Sequence, residues 1–219
     1  VEYTFGNFSS AHAFDVVGYS ARILEADLDR EKYYAGTVMK LRTNIEANKN
    51  VSGLLKTWIY GPDDELISEF ETNETLRAGE NKMEIDRCVL ATKSGVHAIV
   101  YGFYADLSGH SLTPLVSGAE YFDATNVLNP DIPDMTLLSA GKNITGISVS
   151  RMNLSEIDET NKPPRIKSRY AYKIDSTLIK GSKENFTLQL TNISYANLIT
   201  AYKIDDEKHW IPLNTTTIN

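Results

Sequence analysis

The sequence predicts an all-β protein, two tandem β-sandwich domains preceded by an extended strand. Three observations lead there. Short runs of alternating apolar and polar residues recur along the 219-residue chain, the period of strands with one buried face. Between the runs lie clusters of Gly, Pro, Asn and Asp, the residues that turn a chain. No stretch sustains an apolar helical period between caps, so helices are not expected.

Taken in order, residues 1–10 (VEYTFGNFSS) read as one extended strand with Tyr3 and Phe5 on one face. Ala11 to Leu24 carries Phe14, Val16 and Val17 before turning polar. Glu25 to Lys32 is a charged connector. Its Asp27-X-Asp29 spacing lacks the glycine and distal glutamate of an EF-hand, so a solvated loop is expected. Thr37 to Ile45 alternates, and Leu54 to Tyr60 follows a turn. In Gly61-Pro-Asp-Asp64, Pro62 presets φ and Asp63 caps the backbone, so Glu65 to Phe70 returns as a hairpin partner. Met83 to Leu90 is the next strand and Lys93-Ser-Gly95 the next turn. Val96 to Tyr104 and Leu115 to Phe122 complete this set.

Ser94-Gly-Val-His-Ala-Ile99 resembles the turn into strand F of immunoglobulin-like sandwiches, with His97 in the tyrosine place and Ile99 in the cysteine place. The resemblance implies an immunoglobulin-like domain over residues 11–124, a corner role for His97 and a buried strand-C place for Trp58. Asp123 to Asp134, rich in Pro, Asp and Asn, reads as a stiff linker, and the linker as a whole is assigned to residues 125–138. Residues 139–219 read as a second immunoglobulin-like sandwich. Its strands are Ile144–Ser150, Tyr170–Leu178, Phe186–Leu190, Ile199–Ile204 and Trp210–Leu213, with a loop at Asp158–Lys167. These are about five, short of the roughly seven that close a two-sheet sandwich, so a final strand is expected to be missing. The edge left open invites another strand.

Composition narrows the function. A net charge of −7 and a pI near 5.2 argue against nucleic acid or an anionic membrane as the main partner. No apolar run approaches the roughly 18 residues of a membrane span. The single cysteine, Cys88, permits no intrachain disulfide or multi-cysteine metal site and reads as a small buried hydrophobe. Asn-X-Ser/Thr occurs at Asn7, Asn50, Asn73, Asn143, Asn153, Asn185, Asn192 and Asn214, against roughly two or three expected by chance. This excess, without disulfides, points to an N-glycosylated protein secreted to an archaeal cell surface. The chain begins at Val1, and a signal peptide is expected to have been removed.

Ile144-Thr-Gly-Ile-Ser-Val149, the Pro163-Pro164 loop, Tyr170-Ala-Tyr-Lys-Ile174, and Ala201-Tyr-Lys-Ile through Trp210-Ile-Pro-Leu-Asn-Thr215 resemble the PGF-pre-PGF domain of archaeal surface proteins. That family leads a strand like "LYRY" through a charged turn into "W-X-X-L-X-T". Here the segment before that strand is compressed to Ser194–Leu198, and the family's further aromatic strand does not follow. Residues 1–14 are similar to that missing strand, with Asn7-Phe8-Ser9 and His12-Ala13-Phe14 in the corresponding places. Three arrangements follow from this similarity. The N-terminal strand completes the C-terminal sandwich of a neighbouring copy and builds a filament. Alternatively it is the tail of a preceding sandwich in a longer chain, or it simply adds to its own first domain.

Catalytic constellations are not legible. HExxH, G-X-S-X-G, P-loop and G-X-G-X-X-G motifs are absent from the sequence. His12, His97, His110 and His209 fall in different elements, and Asp63-Asp64 and Asp205-Asp206 read as turns. No catalytic residue, no metal and no cofactor beyond N-linked glycans is expected. The expected function is that of a non-enzymatic filament subunit whose partners are copies of itself, with Tyr3, Phe5, Phe8 and Phe14 as apolar anchors of the donor strand. The alternative is an S-layer or cell-wall adhesion module that binds surface glycans. Tyr33-Tyr34 and Tyr101, Phe103 and Tyr104 are the candidate sugar platform for that alternative.

Overall fold

The computed structural model describes residues 2–5, 8–11, 18–105, 114–153, 170–191, 202–204 and 210–212. Among them every regular element is a strand. The first ten are β1 (Glu2–Phe5), β2 (Phe8–Ala11), β3 (Ala21–Leu28), β4 (Lys32–Tyr34), β5 (Val38–Ala47), β6 (Val51–Tyr60), β7 (Leu66–Leu76), β8 (Gly79–Cys88), β9 (Gly95–Ala105) and β10 (Val116–Thr125). The remaining six are β11 (Met135–Ala140), β12 (Ile144–Asn153), β13 (Tyr170–Leu178), β14 (Phe186–Leu190), β15 (Tyr202–Ile204) and β16 (Trp210–Pro212). The all-β expectation holds.

β3, β5 and β8 form one sheet of a sandwich, and β4-β10-β9-β6-β7 form the other. Neighbours are antiparallel except β4, which runs parallel to β10. β9 lies between β10 and β6, the immunoglobulin-like arrangement of strand F between G and C. Period-2 patterning builds the core. Met39, Leu41 and Ile45 of β5 face Leu55 and Ile59 of β6 and Ile99, Tyr101 and Phe103 of β9, all buried. His97 is buried too, stacked on Phe122 with ring centroids 5.6 Å apart and its Nδ1 2.9 Å from the Gly95 carbonyl. The corner role expected of it stands, while its Nε2 has no partner among the described residues.

The β6–β7 hairpin closes as its turn residues require. Gly61 N–H donates to the Glu65 carbonyl (2.9 Å), and Asp64 takes φ 59°, the left-handed conformation that Asp tolerates better than most side chains. The left-handed residue is Asp64, while Asp63 N–H binds the Glu65 carboxylate at 3.0 Å.

Four expectations change. Residues 1–10 are not one extended strand: β1 and β2 pair antiparallel with Phe5 opposite Phe8. The intervening Gly6-Asn7 is the composition of a two-residue hairpin loop, which the strand reading overlooked. The charged connector 25–32 is mostly strand, because β3 runs on to Leu28 through a bulge between Ile23 and Glu25. Trp58 does not fill the core. Leu55, Thr57 and Ile59 point inward, and strand parity sends Trp58 to the outer face. The segment assigned to a stiff linker packs: Leu128, Ile132, Met135 and Leu137 are buried, and residues 135–140 form β11 against β14.

The second half contains the two-stranded sheets β11–β14, β12–β13 and β15–β16. The loop expected at 158–167 lies outside the described residues. Met135, Leu137, Ile144, Ile147 and Val149 join a single buried cluster with Tyr33, Met39, Ile59 and Ile99. The junction depends on Gly36. Ile147 N–H donates to its carbonyl (3.1 Å), its φ is 83°, and a Cβ there would lie 2.3 Å from the Ile147 oxygen. Only glycine fits that combination.

Candidate assembly and recognition surfaces

β12 and β13 form a sheet whose apolar face is only half covered. On β12, Ile144, Ile147 and Val149 are buried against the shared core. Across the ladder Val149 stands opposite Ile174, and Ile144 opposite Leu178. Ile174 and Leu178 are 40% and 38% exposed, and the following Ile179 is 44% exposed. A face that is core on one strand therefore continues into solvent on the next.

Ile179 also lines a cleft of about 270 Å³ with Val38, Phe70, Arg87, Cys88 and Thr145. The Arg87 guanidinium lies 4.7 Å from the centre of the Phe70 ring. Its Nε donates to Thr57 Oγ1 (2.8 Å) and its Nη1 to the Asp86 carbonyl (2.7 Å). Burial lowers its pKa from the ordinary arginine value. Burial likewise pushes the Cys88 thiol up to about 12, against a hydrogen bond from the Ile147 backbone. The buried-hydrophobe reading of Cys88 stands.

The outer face of the five-stranded sheet is the second surface. Leu54, Lys56, Trp58 and Tyr60 of β6 share it with Val100 and Tyr104 of β9 and with Tyr121 of β10. Ala98 pairs with both Tyr60 and Tyr121, which places the two tyrosines in one cross-strand row. Tyr121 is 73% exposed. Trp58 meets Tyr104 edge-on at 6.2 Å, and its Nε1 donates to Glu69 Oε1 (3.0 Å). Lys56 lies 5.5 Å from the Tyr104 ring centre and pairs with Glu71. Of the sugar platform expected from sequence, Tyr33, Tyr101 and Phe103 are core residues and Tyr34 is half-buried. Tyr104 reaches this face and Tyr34, opposite Thr125, lies at its β4 edge, while parity on β9 turns Tyr101 and Phe103 inward. Trp58, Tyr60 and Tyr121 are the members that alternation within their own strands reveals.

Tyr3, Phe5 and Phe8 fall on β1 and β2, while Phe14 lies outside the described residues. Among the sequons, Asn50, Asn73, Asn153 and Asn185 are exposed and Asn143 is half-buried. Asn7, Asn192 and Asn214 lie outside the described residues. Among the described residues no three His, Cys, Asp or Glu side chains gather as a metal site, and no helix is long and apolar enough to cross a membrane.

The fold and these surfaces define an all-β sandwich protein. No protein-family model matches the chain, and no curated protein is similar to it. Among solved structures, it is similar over 49% of its length to a Paenibacillus cycloisomaltooligosaccharide glucanotransferase, at 13% identity and a TM-score of 0.41. It is similar over 48% of its length to a Pseudomonas fluorescens alkylpurine DNA glycosylase bound to DNA, at 10% identity and a TM-score of 0.36. The aligned parts are only 14% and 30% of those chains. At TM-scores this low the likenesses carry no conclusion about fold or activity.

Proposed function

We propose that the chain is a non-catalytic structural subunit of an extracellular surface assembly of the archaeal PGF-pre-PGF type, joined to its neighbours by strand complementation. The observation that carries this is the half-covered face of β12–β13, where Ile174 and Leu178 extend the buried Ile144 and Val149 row into solvent. A strand laid along β13 gains backbone pairing at the edge that no described strand occupies and covers those side chains. Each buried side chain is worth about 1.5–3 kcal/mol before ordering costs. The donor is the N-terminal segment carrying Tyr3, Phe5, Phe8 and Phe14. In the structure its first strands pair with each other, and an isolated two-stranded hairpin is only marginally stable, so opening it costs little. Because donor and acceptor are different surfaces, the contact is head-to-tail and propagates into a filament.

Negative-stain microscopy and sizing of three proteins test this: the whole chain, one lacking residues 1–10, and Ile174→Asp/Leu178→Asp. Filaments from the first alone support the reading. Identical monomers from all three overturn it. The outer aromatic face favours one other reading, a glycan-binding adhesion module. In that case Trp58→Ala abolishes retention on insoluble surface polysaccharide without changing assembly.

A further inference from the structure

We infer that the fold sorts the N-glycosylation signals: Asn50 and Asn73 carry glycans that cap the free edge of the five-stranded sheet, and Asn143 carries none. The inference rests on the extracellular reading above and adds a role for the glycans, which is to steer strand addition away from the first sandwich.

β7 is an 11-residue edge strand that, among the described residues, pairs only with β6. A free edge of that length invites pairing with another chain unless something blocks it. Along one part, Glu69 and Glu71 place carboxylates beside the edge, tied to Trp58 and Lys56. Along the rest, Thr72-Asn73-Glu74-Thr75, one carboxylate serves four residues. Asn73 stands in this weaker stretch, exposed and with no side-chain hydrogen bond among the described residues. It pairs with Leu54, which in turn pairs with Tyr104. A sugar on Asn73 therefore has an apolar strip on which to lay its C–H face.

Asn50 belongs to the same end of the hairpin. Val51 pairs with Leu76 and Ser52 with Thr75, so the two sequons run side by side, and their Ser52 and Thr75 hydroxyls hydrogen-bond at 2.9 Å. Asn50 Oδ1 accepts from Ala78 N–H (2.8 Å), while its Nδ2 makes no hydrogen bond among the described residues. Two glycans leaving this corner occupy the space an incoming strand needs.

Asn143 is the opposite case. It is half-buried, and its Nδ2 donates to Glu184 Oε1 at 2.5 Å. Glu184 is itself wedged against Gly141, where a Cβ would lie 1.9 Å from its carboxylate oxygen. A sugar on Asn143 displaces this bond and separates the start of β12 from the chain entering β14.

In the modification the Asn73 amide nitrogen bonds to the anomeric carbon of a lipid-phosphate-linked oligosaccharide. The bond from that carbon to the phosphate oxygen breaks, its electron pair leaves on the phosphate, and the nitrogen loses one proton.

The test is glycopeptide mass spectrometry on the full chain secreted from a host that glycosylates Asn-X-Ser/Thr, together with sizing of Asn50→Gln/Asn73→Gln. Expected are majority occupancy at Asn50 and Asn73, occupancy at Asn143 at least about tenfold lower, and self-association of the double variant at several-fold lower concentration. That association persists when residues 1–10 are also deleted, which separates it from strand complementation. Glycan on Asn143 equal to that on Asn73, or a double variant that sizes like the parent, overturns the inference and leaves the assembly reading intact. A chain with no glycan at any site overturns the inference and the extracellular reading together.

Discussion

Asp29 shows how one side chain ties together a segment that looks like loop. Its carboxylate accepts from Lys40 N–H and from the Tyr33 hydroxyl, both at 2.8 Å. Partial burial pushes its pKa up, but those two hydrogen bonds and the Arg30 charge outweigh burial and hold it below the ordinary aspartate value. A lowered folded pKa means stability that is present above the unfolded value and lost as pH falls through the folded one. Acid titration of the fold therefore gains a component below about pH 4. Asp29→Asn is expected to be less stable at pH 7 and to lose that component, as read by circular dichroism against pH. Gly36→Ala is expected to cost about 3 kcal/mol or more in urea unfolding, since the left-handed φ and the clash with Ile147 act together. Cys88, buried and with its pKa raised to about 12, should react with thiol reagents at pH 8 only as fast as the protein opens.

At the scale of elements, hairpin chemistry and strand parity decide most of what is seen. Asp64 sits at φ 59° in the β6–β7 turn. Asp64→Gly is expected to be neutral or stabilising by about 0.5 kcal/mol, and Asp64→Val to cost about 1–2 kcal/mol, because a β-branched side chain resists that conformation. Thermal melts of the two variants check the sign. The N-terminal hairpin and the open face of β12–β13 behave differently from the interior strands. Each presents backbone groups that another strand can pair, whereas β5, β6, β9 and β10 are flanked on both sides. In the proposed assembly strand exchange belongs to the chain's two ends, and the long edge of β7 is the one that has to be kept from pairing.

For the whole molecule, the consequential feature is a core that does not stop where the first sandwich stops. Leu128, Ile132, Met135, Leu137, Ile144, Ile147 and Val149 pack with Tyr33, Ala35 and Met39. A chain truncated after Thr125 uncovers that cluster. It is expected to melt well below the full chain and to bind hydrophobic dyes, while the full chain shows a single calorimetric transition across both halves. Two separate transitions, with the first sandwich unaffected by truncation, contradict this view.

The chain's local patterning determined its class. Alternation at period 2, turn residues between the runs and the lack of helical periods define strands, and alternation divides each strand into two faces. The motif around His97 located strand F for the same local reason. Which face turns inward is a different matter, since a strand's two parities look alike until a partner sheet covers one. Trp58 therefore passed for core, and the surface set Trp58, Tyr60, Tyr104 and Tyr121 emerged only on assembly. Residues 135–138 passed for linker because their Pro- and Asp-rich approach carries turn signals, and pairing with β14 lies some fifty residues away in sequence. The sequons were countable from the chain alone. Only the tertiary structure exposes Asn73 on a free edge and ties Asn143 to Glu184, because accessibility depends on what folds beside a residue rather than on its neighbours in sequence.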